Sequence, residues 1–321
     1  MAHTNPQVGT GTFELPFEVQ CLAGYIVVKK DTSVAQCITQ GLDLILSPLP
    51  QTPPDPRPAG TGGTSTLVLK ATVTEGGSPK VGVAVTFAVE VVAGSGGHEK
   101  DHTGVRPPGT LSKTSGTTDA NGEVKLTFSA EEVAGIHKVT ATCNDCSNKT
   151  AVQEVKVKVP DLSPISPDTP KNKNGTYRYS LTSSDPEHQG QSRYVGGQYY
   201  LTDEAKTNLY GLIDQFEEEG WGTVALNDAS LFWGGLYDIA LPGIPSHWTT
   251  PHSEHRLGEE IDISFTRAGN TISPAKQNEF YKKFCEDKKV QVPFSILHHY
   301  VRGPHFHVRL AAANRCGKTA K

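Results

Sequence analysis

Pro251–Ser264 reads PHSEHRLGEEIDIS. His252 and His255 stand three residues apart, Gly258 follows three after His255, and Asp262 seven after it. The end of the stretch alternates as a strand does, so Asp262 and Glu260 share one face and Ile261 and Ile263 the other. Further on, GPHFHVRL, Gly303–Leu310, puts His305 and His307 on one strand face with Phe306 and Val308 opposite. Seven of the twelve histidines fall between His247 and His307, which makes the two stretches candidate halves of one site.

Two strands presenting Asp262 and His307 at facing positions, with His255 entering from the preceding loop, supply three ligands. Nitrogen and oxygen donors of this kind suit Zn²⁺, and three protein ligands leave a fourth position for water, the mark of a catalytic site. Gly258 lets the loop turn so that His255 and Asp262 reach the same ion. His305, on the His307 face, is the candidate proton shuttle or oxyanion stabiliser. Glu260 has two readings, a general base beside the metal or a solvated glutamate at a strand entrance, the second being commoner for such a residue.

Outward from the site the helical period of 3.6 appears. In LTDEAKTNLYGLIDQFEEEG, Leu209, Leu212, Ile213 and Phe216 form one stripe, with Thr202 as N-cap and Gly220 as the stop. SPAKQNEFYKKFCEDKK starts a second helix with Ser273 as cap and Pro274 in its first turn. The C-terminal part therefore reads as α+β with an antiparallel sheet.

Between Thr64 and Val159 the period is two. Leu67, Leu69, Ala71 and Val73 share a face, as do Val81, Val83, Val85, Phe87 and Val89, and Gly-rich or Asn-Gly turns separate the runs. Short alternating strands with such turns predict an antiparallel β-sandwich. Pro-rich stretches punctuate both ends, SPLPQTPPDPRPAG before and VPDLSPISPDTP after. The expected organisation is multidomain: 1–60 a β-rich segment with a Pro-rich tether, 61–160 the sandwich, 161–175 a linker and 176–321 the α+β domain.

The wording of both parts is more specific than their periods. GSPKVGVAVTFAV and TTDANGEVKLTFSAEEVAGIHKVTAT resemble the bacterial immunoglobulin-like domains of invasin and intimin-type proteins, which implies a spacer, adhesive or binding module. SEHRLGEEIDI with the late HFHVRL resembles the zinc D,D-peptidase, murein endopeptidase and Hedgehog superfamily, nearest to the penicillin-insensitive murein endopeptidases. That resemblance implies zinc on His255, Asp262 and His307, with His305 beside the metal and His252 as the outer histidine of the first motif. Those endopeptidases carry a histidine three residues before the HFH pair, where this chain has Arg302, a candidate substrate-binding residue; His298 and His299 lie nearby and are candidates to take that histidine's place. Arg193 in QSRYVGGQYY is a candidate for a substrate carboxylate through its planar fork. Trp233 offers either an aromatic wall for substrate or ordinary core packing.

The expected function is a zinc metallopeptidase, of endopeptidase or carboxypeptidase type, that hydrolyses peptide bonds in bacterial peptidoglycan. The competing class is a non-catalytic adhesin or binding protein whose metal domain is a scaffold. A net charge of -4 over 321 residues and the lack of a basic stripe exclude a general nucleic-acid binder. No apolar run approaches the roughly 18 residues of a membrane span. The start, MAHTNPQVGTGTF, lacks a signal-peptide pattern, so an extracellular or periplasmic destination implies a removed signal or another export route. Six cysteines are compatible with an oxidising compartment, and Cys143 and Cys146 in TCNDCSN are either paired or half of a zinc ribbon.

Overall fold

The computed structural model describes residues 25–29, 35–39, 41–96, 106–165, 179–181, 199–220, 224–236, 255–264, 273–283, 295–300, 305–310, 315–316 and 319–320. Two short strands, β1 (Tyr25–Lys29) and β2 (Ala35–Thr39), pair antiparallel at the start.

Nine strands then build the sandwich: β3 (Leu42–Pro48), β4 (Thr66–Glu75), β5 (Ser78–Pro79), β6 (Ala84–Val91), β7 (Thr110–Leu111), β8 (Ser115–Thr117), β9 (Glu123–Ser129), β10 (Gly135–Cys143) and β11 (Lys149–Val157). One sheet runs β3-β4-β9-β7 with β5 beside β4, and the other β11-β10-β6-β8. Leu67, Leu69, Ala71 and Val73 all point inward and pack in one core with Val85, Phe87, Val139 and Ala141. A fully buried side chain of this size stabilises by about 1.5–3 kcal/mol. Val81 departs from the expected face and is 58% exposed. The positive φ of Gly82 turns the chain just after it, so the alternation starts at Val83. The Asp119–Glu123 turn closes as its sequence suggests: Asp119 Oδ1 accepts from Asn121 N–H and Glu123 N–H at 2.8 and 3.0 Å. A Cβ on Gly122 would stand 2.5 Å from the Val73 carbonyl oxygen, so only glycine fits there.

The Cys143 and Cys146 thiols are bonded to each other across a 3₁₀ turn. That removes the zinc-ribbon reading, because neither sulfur is left to bind metal.

The C-terminal part contains β12 (Leu162–Pro164), β13 (Tyr179–Leu181), β14 (Tyr200–Thr202), α1 (Asp203–Glu218), β15 (Val224–Leu226), β16 (Glu260–Ser264), α2 (Pro274–Tyr281), β17 (Ser295–Tyr300), β18 (His305–Arg309), β19 (Arg315–Cys316) and β20 (Thr319–Ala320). Thr202 caps α1 by accepting from Ala205 N–H, and Gly220 leaves it with φ 67°. Ser273 caps α2 in the same way by accepting from Lys276 N–H. The sheet order is β13-β15-β16-β18-β17-β19, with β20 also on β17. The sheet is mixed rather than purely antiparallel. Its centre, β15-β16-β18-β17, is antiparallel, whereas β13 joins β15, and β19 and β20 join β17, in parallel. The α1 stripe Leu209, Leu212, Ile213 and Phe216 packs with Ile261, Ile263, Phe306 and Val308. One face of β16 and β18 is thereby sealed against the helix, and the other carries Glu260, Asp262, Ser264, His305, His307 and Arg309.

Two expected tethers are parts of the folded units. β3 pairs with β4 over seven residues, Leu42 to Pro48, so this segment belongs to the sandwich rather than to an N-terminal extension. The Pro-rich run after it is docked: Arg57 N–H donates to Thr64, Ala59 N–H to Glu131, and Pro56 accepts from Lys158 N–H. Likewise residues 162–164, expected in a linker, pair with β14 as β12, and Ile165 is buried in the helix–sheet core. Proline tolerates both positions because they lie at edges, where a missing N–H breaks no ladder.

Candidate metal centre

β16 and β18 pair antiparallel with Asp262 directly opposite His307, Glu260 opposite Arg309 and Ser264 opposite His305. All six side chains belong to the face away from α1, as the period of two requires. His255 arrives from a 3₁₀ turn, His255–Leu257, just before the strand. Gly258 ends this turn with φ 70°; a Cβ there would stand 2.3 Å from Leu162 Cδ2, so the turn sits tightly on β12. Its carbonyl accepts from Thr202 N–H at 2.8 Å, which ties the turn to the start of α1.

His255, Asp262 and His307 offer ligand atoms that all lie within 4.8 Å of one another, and all three residues are buried. Asp262 Oδ1 is 2.8 Å from His307 Nδ1 and 3.6 Å from His255 Nε2. Donors about 2.0–2.1 Å from one tetrahedral ion stand about 3.3 Å apart, so this set fits zinc in both chemistry and spacing. Burial opposes ionisation of Asp262, but the His255 charge and the hydrogen bonds from His255 and His307 outweigh it and hold the carboxyl well below the usual carboxylate range.

One residue arranges both imidazoles. His255 Nδ1 lies 3.4 Å from the Glu260 carbonyl oxygen, and His307 Nε2 lies 3.2 Å from Glu260 Oε2. With no metal bound, His255 Nε2 and His307 Nδ1 face Asp262 as hydrogen-bond donors; with the Glu260-facing nitrogens donating instead, the same two atoms would present their lone pairs to a metal. Outer partners of this kind fix the tautomer of a metal-binding histidine. Glu260 is itself held by Arg309, whose Nε donates to Oε1 at 2.6 Å and whose second guanidinium nitrogen contacts the same oxygen. Glu260 is 1% exposed, which overturns the expectation of a solvated glutamate. The alternation already puts Glu260 and Asp262 on one face, but the pairing with Arg309 follows from the strand register alone.

His305 stands at the edge of the cluster. Its Nε2 is 3.7 Å from Asp262 Oδ2, the oxygen that does not face His307, and its side chain is 23% exposed. The far edge of β16 is pinned by the Asn227–Asp228 segment: Asn227 N–H donates to the Asp262 carbonyl at 2.7 Å, and Asp262 N–H to the Asp228 carbonyl at 2.9 Å. The stretch LNDASLFW resembles related members of the endopeptidase family, but it carries no period that would give Asn227 and Asp228 this role.

Trp233 is half-buried in the loop that precedes the site and stacks on Phe232 at 6.1 Å. Its carbonyl accepts from Val159 N–H at 2.9 Å, joining the loop to the end of the sandwich. His252, Arg193 and Arg302 lie outside the described residues.

No family model matches the chain, and no curated protein matches it. Among solved structures, it is similar to the D00-D0 domain of intimin, at 19% identity over 39% of this chain and 55% of that chain, with a TM-score of 0.26. The D0-D1 domain of intimin gives 17% identity, 40% and 57% coverage and a TM-score of 0.25. A conjugative transposon lipoprotein from Bacteroides eggerthii gives 16% identity, 36% and 95% coverage and a TM-score of 0.21. The chain thus spans 55% and 57% of the two intimin structures. The two-sheet arrangement described above stands on its own strand pairing.

Proposed function

We propose that residues 199–310 carry a zinc-dependent hydrolase of peptide bonds in bacterial peptidoglycan. The observation that carries the hydrolase reading is the convergence of His255 Nε2, Asp262 Oδ1 and His307 Nδ1 on one buried point, with the opposite faces of both strands sealed by α1. The substrate class comes from the resemblance of SEHRLGEEIDI and HFHVRL to murein endopeptidases. The Cys143–Cys146 disulfide suits an oxidising, extracellular or periplasmic location. Among the described residues no helix is long and apolar enough to cross a membrane.

Zinc in a set of two histidines and one carboxylate polarises a carbonyl and lowers the pKa of bound water toward neutrality. The chain's own residues supply the rest. Asp262 stays ionised and contributes the one negative charge among the three donors. Glu260 fixes both histidine rings, through its carbonyl and its carboxylate, while Arg309 holds Glu260 in place. With both of its oxygens engaged, Glu260 acts as a positioning residue. Proton movement falls to His305, whose Nε2 is at the exposed edge, where it protonates the leaving amine.

Purified protein incubated with peptidoglycan sacculi, with and without a chelator, should release peptide fragments in the chelator-free arm alone. The wild type should hold about one zinc, and His307→Ala should lose most of it. His305→Ala should keep zinc while hydrolysis falls about 10²–10⁴-fold, the range for a lost acid or base. Zinc-loaded protein that binds sacculi and releases nothing would favour the adhesin reading.

A further inference from the structure

The sandwich and the metal-site unit meet through main chain as well as side chains. The segment after β9 presents Glu131–Ala134 to the loop that contains Trp233. Leu236 N–H donates to the Glu132 carbonyl at 3.0 Å, and Val133 bridges Gly235 antiparallel. Val133 and Leu236 bury one another, at 2% and 4% exposed. A Cβ on Gly235 would lie 2.7 Å from Ala134 N and 3.0 Å from Glu132 O, so the approach admits only glycine.

The same loop then reaches the metal site. Gly235 N–H donates to the Arg256 carbonyl at 3.1 Å, and the Arg256 guanidinium returns to Glu132 Oε1 at 2.5 Å. The contacts close a ring: Glu132 to Leu236, Gly235 to Arg256, Arg256 to Glu132. Arg256 directly follows His255 in a 3₁₀ turn of three residues. Turns of this length have few internal hydrogen bonds and take their orientation from what they are attached to. The Pro-rich segment covers the ring, since a Cβ on Gly60 would stand 3.1 Å from the Arg256 guanidinium and 3.2 Å from Glu132 Oε1.

We infer that the immunoglobulin-like module is a positioning element of the metal site: its Glu132 turn, through Gly235 and Arg256, fixes the turn that presents His255. The spacer expected from the sequence thereby has a second task, holding one ligand in register with the two on β16 and β18. The inference rests on the metal reading above, and one arm of its test is independent of metal.

The test uses the full chain. Glu132→Ala and Arg256→Ala should each weaken zinc binding, measured by competition with a chromophoric chelator, about three- to fivefold, the ceiling for a partly exposed ion pair. The double variant should be no weaker than either single one, because both remove one interaction. The charge-swapped pair Glu132→Arg with Arg256→Glu should recover to within about twofold. Lys149→Ala, which breaks the sandwich's distant ion pair with Asp43, should leave zinc affinity unchanged. In the metal-independent arm, hydrogen exchange at 255–258 should accelerate in Glu132→Ala while β4 stays protected. Unchanged zinc affinity and unchanged exchange in both single variants would overturn the inference and leave the metal reading intact. Acceleration that extends to β4 would also overturn it, since the loosening would then be global. A wild type that holds no zinc would sink the metal reading, and the exchange arm would still decide whether the module holds the turn.

Discussion

Replacing Glu260 by Gln keeps the volume of the side chain and removes its charge. The carboxylate accepts from Arg309 Nε at 2.6 Å on one oxygen and from His307 Nε2 at 3.2 Å on the other. A carboxamide has one acceptor oxygen, so either Arg309 or His307 then faces an NH₂ group. A hydrogen bond to a charged group contributes about 1.5–3 kcal/mol. Losing the outer partner of a metal-binding histidine weakens metal binding about 10–100-fold, which is about 1.4–2.7 kcal/mol. The two routes agree in size, so Glu260→Gln should raise the zinc Kd about 10–100-fold. Chelator competition at fixed pH measures it, and the ¹⁵N shifts of His307 report whether Nε2 still carries the proton. Zinc affinity within about twofold of wild type, with hydrolysis down about 10²–10⁴-fold, would refute the reasoning and make Glu260 the general base.

His137, fully buried in the sandwich, accepts from Gly109 N–H on Nδ1 at 3.2 Å and is pushed from 6.5 down to about 4, by burial first and by the Arg106 charge second. The unfolded chain takes up this proton near pH 6.5 and the folded chain not until about pH 4. The stability is therefore complete above 6.5 and is lost as pH falls through that window, by about 3 kcal/mol. Urea unfolding at several pH values, compared with His137→Gln, isolates the effect; equal slopes in the two proteins would contradict it. A fragment beginning at residue 171 lacks β12 and the buried Ile165, which together close one end of the helix–sheet core. It should show no cooperative thermal transition, whereas one beginning at residue 158 should show one; two equally cooperative fragments would mean that β12 adds nothing.

What the sequence by itself determined lies in neighbouring residues. The period of two in EIDIS and HFHVR assigns Asp262 and His307 to one face and Ile261, Ile263, Phe306 and Val308 to the other. The Thr202 and Ser273 caps, the α1 stripe and the TDANG turn are contacts within a few residues. Each leaves its mark in composition because propensity and hydrogen bonding act over that range. Tertiary structure decided what depends on distant partners. The Pro-rich run resembles a tether until Glu131 and Lys158 supply its hydrogen bonds, and 162–164 resembles a linker until β14 lies beside it. Glu260 reads as an exposed charge until Arg309, 49 residues later, pairs with it. Glu132 and Arg256 are 124 residues apart, and no local pattern records that they meet. Burial and pairing are properties of the packed chain: a charged side chain carries the same sequence signal in solvent as it does between strands, and only the fold selects its partner.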